Sequence, residues 1–415
     1  MTRRIAVLTG ALLSLSAGAA DTAPARPYVI VGTGQTGFYS DTAPLRAAPK
    51  SGEPFYGQDA CHPGPQPAYR DNGDGTVSDL HTGLMWVQSR GEKVTWDAAV
   101  AGAKTCRIGG HSDWRMPTIK ELYSLINFNG GFDFHAGAAR SKPYLDTKYF
   151  RFAYGDESKG ERAIDCQDWS ATQYVSTTMN GNATVFGVNF ADGRIKGYPK
   201  APRRPGGGAA LPKLLYVRYV RSNPAYGKND FRDNGDGTIT DRATGLMWSK
   251  ADSTVGMNWQ AALAWVQKKN AEKHLGYSDW RLPNAKELQS IADYTRAPAV
   301  TRSPAIDPVF QTTTLGDGDY PFFWSGTTHL DGPREHQGRD AVYVCFGRGL
   351  GWMQFPPGRG EYRLLDVHGA GAQRSDPKTG DPAAFPRGRG PQGDVVRIHN
   401  FVRLVRNIDN RVPRP

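Results

Sequence analysis

The residue types best suited to chemistry lie together towards the C-terminal end of this 415-residue sequence. A carboxylate, an imidazole, a guanidinium and a hydroxyl occur there among glycines, which let a backbone approach a ligand closely. The charged groups could orient a ligand, or they could pair with one another and hold a structural loop. We predict a ligand-binding site, with no residue assigned to catalysis or to a metal. Its candidates are Asp366, His368, Arg374, Ser375 and Asp376.

Familiar catalytic motifs do not occur in the sequence. It contains no Gly-x-Ser-x-Gly, no His-Glu-x-x-His and no phosphate-binding loop. The acids of two Asn-Gly-Asp-Gly runs lie close together, but their spacing differs from that of helix-loop-helix calcium sites. Turns are the favoured interpretation, because Asn-Gly and Asp-Gly are common turn sequences. No cofactor is predicted, and an enzyme acting through the loop around His368 stays the alternative to a binding protein.

The cysteines allow, but do not define, a disulfide. A disulfide could form if the protein is exported, as the N-terminal features described below predict. Three of the four cysteines fall in the first half of the chain, where we expect one disulfide of unspecified connectivity. Cys345 stands between apolar residues and is expected to be a buried, inert thiol. The four are Cys61, Cys106, Cys166 and Cys345.

The elements that position these residues follow from a stretch that occurs twice, from residue 70 and again from residue 232. Each copy reads Arg-Asp-Asn-Gly-Asp-Gly-Thr and continues to Thr-Gly-Leu-Met-Trp. Asn, Asp and Gly favour tight turns, so each copy predicts turns between short strands. Ser-Asp-Trp-Arg and Lys-Glu-Leu also repeat, and the latter belongs to a capping box that begins a helix. The matched tryptophans are Trp86/Trp248, Trp96/Trp259, Trp114/Trp280 and Trp169/Trp324.

These runs resemble the Lcl C-terminal domain family, named for a bacterial collagen-like surface protein. The resemblance covers about residues 56 to 408, as two tandem copies. It implies an α+β fold of two tandem C-type lectin-like domains, each with two helices and a small twisted antiparallel sheet. It also implies a role in bacterial surface binding and adhesion.

Three departures limit what the resemblance implies. Tyr219 and Leu404 stand where the final strand of the family often has the cysteine of its usual disulfide. Calcium-dependent lectins of this broad fold use Glu-Pro-Asn or Gln-Pro-Asp with Trp-Asn-Asp, and none of these occurs. The cysteine pair of formylglycine-generating enzymes is also missing. Calcium-dependent sugar binding and that enzymatic activity are therefore not carried over.

The sequence begins with the features of a signal peptide. Arg3 and Arg4 precede a short apolar stretch, and Ala17-Gly18-Ala19 is a small-residue cleavage pattern. We expect export to the periplasm, the cell surface or the medium, with no later transmembrane segment. The predicted map is 1–20 signal peptide, 21–54 extended N-terminal segment, 55–222 first domain, 223–228 linker, 229–408 second domain and 409–415 tail.

Local patterns predict some elements within the two domains. Helices are expected at about 96–105 and 119–128, and a strand at 184–190 followed by a hairpin turn. The stretch 352–395 carries little strand or helix pattern, and loops of that length are usually functional or disordered. We therefore expect the functional surface of the second domain in this loop.

Charge favours an anionic partner. The formal net charge is +11, and removing the predicted signal peptide removes two arginines and no acid, leaving +9. We predict an exported binding or adhesion protein that recognises an anionic glycan or another cell-surface polymer without catalysis. Nucleic acid is a poor candidate, because export removes the usual nucleic-acid partners. The oligomeric state stays open.

Overall fold

A computed structural model describes residues 26–179, 181–202, 211–333, 337–355 and 359–408. The predicted signal peptide and the 409–415 tail lie outside the described residues. Within the described part, sixteen β-strands form four antiparallel sheets, and the α-helices are few and mostly short. The helices are α1 Trp96–Thr105, α2 Ile119–Ser124, α3 Trp259–Ala271, α4 Ala285–Ser290 and α5 Pro298–Thr301.

The strands divide between the two halves of the chain, which we take as residues 55–222 and 229–408. The first half contains β1 Tyr69–Asp71, β2 Thr76–Asp79, β3 Met85–Val87, β4 Asp168–Thr178, β5 Asn182–Asn189, β6 Arg194–Pro199 and β7 Val220–Arg221. The second half contains β8 Phe231–Asp233, β9 Thr238–Asp241, β10 Leu246–Ser249, β11 Phe322–His329, β12 Asp340–Cys345, β13 Leu350–Phe355, β14 Glu361–Asp366, β15 Gln373–Pro377 and β16 Val405–Asn407.

The predicted α+β class, with two helices and a separate small sheet in each domain, is wrong. The described part of the protein is mostly β, with three α-helices among the described residues of the second half, and one sheet contains strands of both halves. The helix signals themselves were well placed: α1 has the predicted bounds, and α2 ends at Ser124, four residues before the predicted end. The class prediction failed because the long-range pairing of strands is not visible in local patterns.

The repeated runs build one small sheet in each half, ordered β1-β2-β3-β7 and β16-β10-β9-β8. In the first copy, the Asn72 amide donates to Thr76 Oγ1 over 2.8 Å, and Asp74 accepts from the Thr76 backbone amide over 3.0 Å. Gly73 and Gly75 have φ values of 78° and 84°, which only glycine adopts freely. The second copy repeats this pattern, so these motifs form the predicted tight turns.

The largest sheet joins the two halves. Its six strands are ordered β11-β12-β15-β6-β5-β4, so each half supplies three neighbouring strands. The central pair, β15 and β6, is antiparallel and aligns Gln373 with Ile195. We expected the two copies to have separate sheets, and this pairing contradicts that expectation. The predicted domain boundaries stay a prediction.

Two lysines of the Lys-Glu-Leu motifs, the cross-half lysines Lys120 and Lys286, connect the helices α2 and α4. Lys120 Nζ donates to the Ser290 carbonyl over 2.6 Å, and Lys286 Nζ donates to the Ser124 carbonyl over 2.7 Å. Ser124 and Ser290 are the last residues of α2 and α4, where helix carbonyls lack intrahelical donors. Each helix therefore receives a C-terminal hydrogen bond from the other half.

The segment before the first domain packs between the halves. The side chain of Gln35 donates to the Phe128 carbonyl over 3.1 Å and to the Thr328 carbonyl over 2.8 Å, and it accepts from the Thr328 amide over 2.9 Å. The Gly32 carbonyl accepts from Lys286 over 2.9 Å. Residues 26–54 contain an isolated β-bridge but no helix or strand, and they contribute to the interface.

Candidate functional site

The two halves differ in the third strand that each contributes to the six-stranded sheet. In the first half, β6 follows β5 and pairs with it. In the second half, β13 leaves the sheet and pairs with β14, while β15 takes the place beside β12. The stretch 352–395 is thus a hairpin followed by a sheet strand, and the prediction of a largely patternless loop is wrong.

Two of the predicted site residues, His368 and Arg374, share one carboxylate. His368 Nε2 lies 2.7 Å from Asp394 Oδ1, and Arg374 Nη2 contacts Asp394 Oδ2. His368 is only 1% exposed. Burial, followed by the neighbouring Arg374 charge, holds the pKa of His368 well below its usual range, so the imidazole is neutral at pH 7. The sequence analysis missed Asp394, which lies 18 residues beyond Asp376 and outside any repeated motif.

Asp376 fixes the chain that leads into the last strands. Its Oδ2 accepts from the backbone amides of Arg397 and Ile398 over 3.0 and 3.1 Å, and from the Asn400 side chain over 3.0 Å. Asp376 is 1% exposed, and burial raises its pKa. This carboxylate therefore holds the backbone that leads to β16, while Arg374 pairs with Asp394 and not with Asp376.

Asp366 and Ser375 also have partners within the protein. Asp366 accepts from the Tyr174 hydroxyl over 2.7 Å, a contact between the two halves, and burial raises the pKa of Asp366 to about 6. Ser375 Oγ accepts from Arg194 over 3.2 Å, which is a second contact between the halves. The structure thus brings four of the five predicted residues to the junction of the halves, namely Asp366, His368, Arg374 and Ser375. The hydrogen bonds of Asp376 all lie within the second half. Ligand binding by the five residues stays a prediction.

The β13–β14 hairpin and the segment that follows it present an exposed face. Tyr362 and Leu364 are 38% and 39% exposed, unlike most large apolar side chains of the protein. The guanidinium of Arg387 lies 4.1 Å from the centre of the Tyr362 ring. With Trp352, these residues form the hairpin face, which includes a shallow cleft of about 210 Å³.

The hairpin face is basic as well as aromatic. The exposed guanidinium of Arg387 lies on it beside Tyr362, whereas Glu361 and Arg363 alternate with Tyr362 along β14 and lie on the opposite face of the hairpin. The sequence analysis placed the functional surface within 352–395, which includes these residues, but it named candidates only in the glycine-rich stretch that follows. One signal could have found them: Trp352 has no counterpart among the matched tryptophans.

The cysteines do not contribute a reactive group to this surface. All four are free thiols, so the expected pair in the first half is not formed. Cys345 is fully buried, its Sγ lies 3.2 Å from the Ala372 carbonyl, and burial raises its pKa to about 12. At neutral pH the thiol is therefore protonated, as expected for an inert residue.

No group of three or more His, Cys, Asp or Glu side chains among the described residues is placed to hold a metal ion. None of the helices in the described part of the chain has both the length and the apolar character that crossing a membrane requires.

The fold and this surface define a mostly β protein of two related halves, one of which carries an added hairpin. The family model of the Lcl C-terminal domain matches residues 75–205 and 237–364, more than half of the chain. The chain therefore belongs to the Lcl C-terminal domain family, with two copies of the domain, and this membership indicates a surface-associated protein of binding type.

The comparisons with curated proteins and with solved structures returned no match. No solved structure therefore supports the expected C-type lectin-like fold. The second family match ends at residue 364, within β14, so β15 and the five predicted site residues lie beyond it.

Proposed function

We propose that the protein is exported and binds an anionic glycan, or another anionic cell-surface polymer, through the hairpin face and without catalysis. The observation that carries this proposal is the exposed pairing of Arg387 with Tyr362, on a hairpin without a counterpart among the described residues of the first half. The net charge of +11 points to the same class of partner.

The two side-chain types suit this ligand class. An aromatic ring offers a flat apolar surface to the C–H face of a sugar ring, and it loses little conformational entropy on binding. A guanidinium binds carboxylate and sulfate groups through two parallel hydrogen bonds. Both groups are already held in contact on the hairpin face, which lowers the cost of ordering them around a ligand.

The enzyme alternative has weaker geometric support. It rests on His368, whose Nε2 is engaged by Asp394 and whose side chain is almost fully buried. A substrate would have to displace the surrounding chain to reach this imidazole. A binding role for the exposed hairpin face requires no such rearrangement.

Binding of the mature protein to immobilised heparin and alginate, with dextran as a neutral reference, tests the proposal. We expect Arg387→Ala to weaken binding about tenfold, because a hydrogen bond to a charged group contributes about 1.5 kcal/mol. Tyr362→Ala should also weaken it. Arg242→Ala is the matched control, since it removes the same charge from an exposed arginine elsewhere in the second half.

Salt provides a second criterion. Affinity should fall as salt rises, because screening acts over roughly 8 Å at physiological ionic strength. Equal losses in Arg387→Ala and Arg242→Ala, or an affinity unchanged by tenfold more salt, would contradict the proposed site.

A further inference from the structure

Two of the ten tryptophans have no counterpart in the other half: Trp352 of the hairpin face, and Trp265 on α3. Most of the matched tryptophans are buried core residues, as Trp86 and Trp248 illustrate with no exposed surface. Trp265 is instead only partly buried. It packs against the core with part of its ring exposed, and it lies on a different element from the hairpin face.

A paired exchange of residues explains the surroundings of Trp265. Its counterpart on α1 is Gly102, and the counterpart of Leu404 is Tyr219. In the first half, the Tyr219 hydroxyl donates to the Ala99 carbonyl over 2.9 Å and lies against Gly102, where an added Cβ would be only 2.3 Å away. Tyr219 thus fills the space beside α1, and only glycine on the helix leaves room for it.

In the second half, the smaller Leu404 leaves this space open. A cleft of about 610 Å³ lies there, lined by Leu404, by Trp265 and by the turn of the second repeated motif. This volume falls in the range of roughly 300–1,000 Å³ typical of small-molecule sites. We call it the Trp265 cleft.

The polar lining of the Trp265 cleft is electrically balanced. Two lysines, Lys250 and Lys269, are matched there by two aspartates, Asp233 and Asp252. Lys250 Nζ lies 2.5 Å from Asp233 Oδ2, and Lys269 Nζ lies 3.2 Å from Oε2 of Glu272, outside the cleft. Lys269 Nζ is also 5.4 Å from the centre of the Trp265 ring. The cleft therefore combines donors, acceptors and an aromatic surface without the excess positive charge of the hairpin face.

We propose that the Trp265 cleft is a second binding site, which takes a short neutral oligosaccharide. A sugar ring can pack its C–H face on the Trp265 indole, while its hydroxyls, which both donate and accept, meet the Lys250 ammonium and the Asp233 carboxylate. The paired charges leave no net attraction for an anionic ligand. This site differs from the hairpin face in both position and ligand class.

The experiment is titration calorimetry of the mature protein with cellotriose, maltotriose and tri-N-acetylchitotriose. We expect the wild type to bind at least one of them. Trp265→Ala should weaken that binding more than tenfold, and Trp265→Phe should weaken it less because it keeps an aromatic surface. The double variant Trp265→Gly/Leu404→Tyr recreates the pair found in the first half, so it should fill the cleft and abolish binding.

Controls separate this inference from the proposed function. Trp265→Ala should bind heparin as the wild type does, and Arg387→Ala should bind the trisaccharide as the wild type does. Thermal unfolding verifies that each variant is folded. If the double variant does not fold, the comparison of Trp265→Phe with Trp265→Ala replaces it as the test. The inference is overturned if no trisaccharide binds the wild type, or if Trp265→Ala binds it with unchanged affinity.

Discussion

Replacing one of the cross-half lysines provides a quantitative test of how the halves are joined. Lys286 is 3% exposed, and its amine donates to the carbonyls of Gly32 and Ser124. In Lys286→Met the side chain stays nearly as long, but both carbonyls lose their hydrogen-bond donor. An unsatisfied buried polar group costs about 1–3 kcal/mol. Two such groups should lower the free energy of unfolding by about 2–6 kcal/mol at pH 9.

The pH dependence of this loss makes the prediction specific. Burial lowers the pKa of Lys286 to about 7, from an ordinary value of 10.5. Between these values the unfolded chain binds a proton that the folded protein does not, so stability rises with pH. Each pH unit contributes at most about 1.4 kcal/mol. From pH 7 to pH 9 the wild type should gain about 2 kcal/mol from this group, an increment that Lys286→Met should lack.

Denaturant unfolding at pH 7 and pH 9 measures both quantities. Lys268→Met is the matched control, because Lys268 lies on α3 with a side chain that is 71% exposed. It should change stability by no more than about 0.5 kcal/mol at either pH. The reasoning fails if Lys286→Met behaves like the control, or if its loss of stability does not grow with pH.

Three other predictions concern the fold, the thiols and export. Asp376→Ala should lower the free energy of unfolding by about 2–4 kcal/mol, since three donors lose their acceptor, while heparin binding by the folded variant stays unchanged; weakened binding with unchanged stability would assign Asp376 to the ligand. Iodoacetamide at pH 8 should modify the two partly exposed thiols before Cys166 and Cys345, whose pKa values burial raises to about 12, and mass spectrometry would reveal any other order. N-terminal sequencing of the secreted protein should place cleavage near Ala19 or Ala20, whereas cytoplasmic protein retaining residue 1 would contradict export.

The features predictable from the sequence are those that depend on a few neighbouring residues. The Asn-Gly-Asp-Gly turns follow from side-chain hydrogen bonds that span two to six residues, such as those of Asn72 to Thr76 and Ser78. Helix α1 begins where Thr95 accepts a hydrogen bond from the Ala98 amide. Because the motifs occur in both halves, each correct local prediction for the first half also applies to the second.

The features that escaped prediction depend on contacts between distant residues. The exposed side chains of β14 include Glu361, Tyr362 and Arg363, and they give no alternation of buried and exposed positions. The pairing of β15 with β12 and β6 depends on which other strands the fold brings beside it, and not on the composition of β15. For the same reason the candidate site was placed at residues that prove buried, while its exposed neighbour Tyr362 was overlooked.

The antiparallel pairing of β6 with β15 has a consequence for folding kinetics. The aligned residues, Ile195 and Gln373, are 178 positions apart in the sequence. Contacts of such long range slow folding, because the chain must close a large loop before the pairing stabilises it. Until then, β6 is an unpaired edge strand that can pair with another chain. A polypeptide that ends before β15 would keep that edge open, so we expect truncated forms to aggregate more readily than the full-length protein.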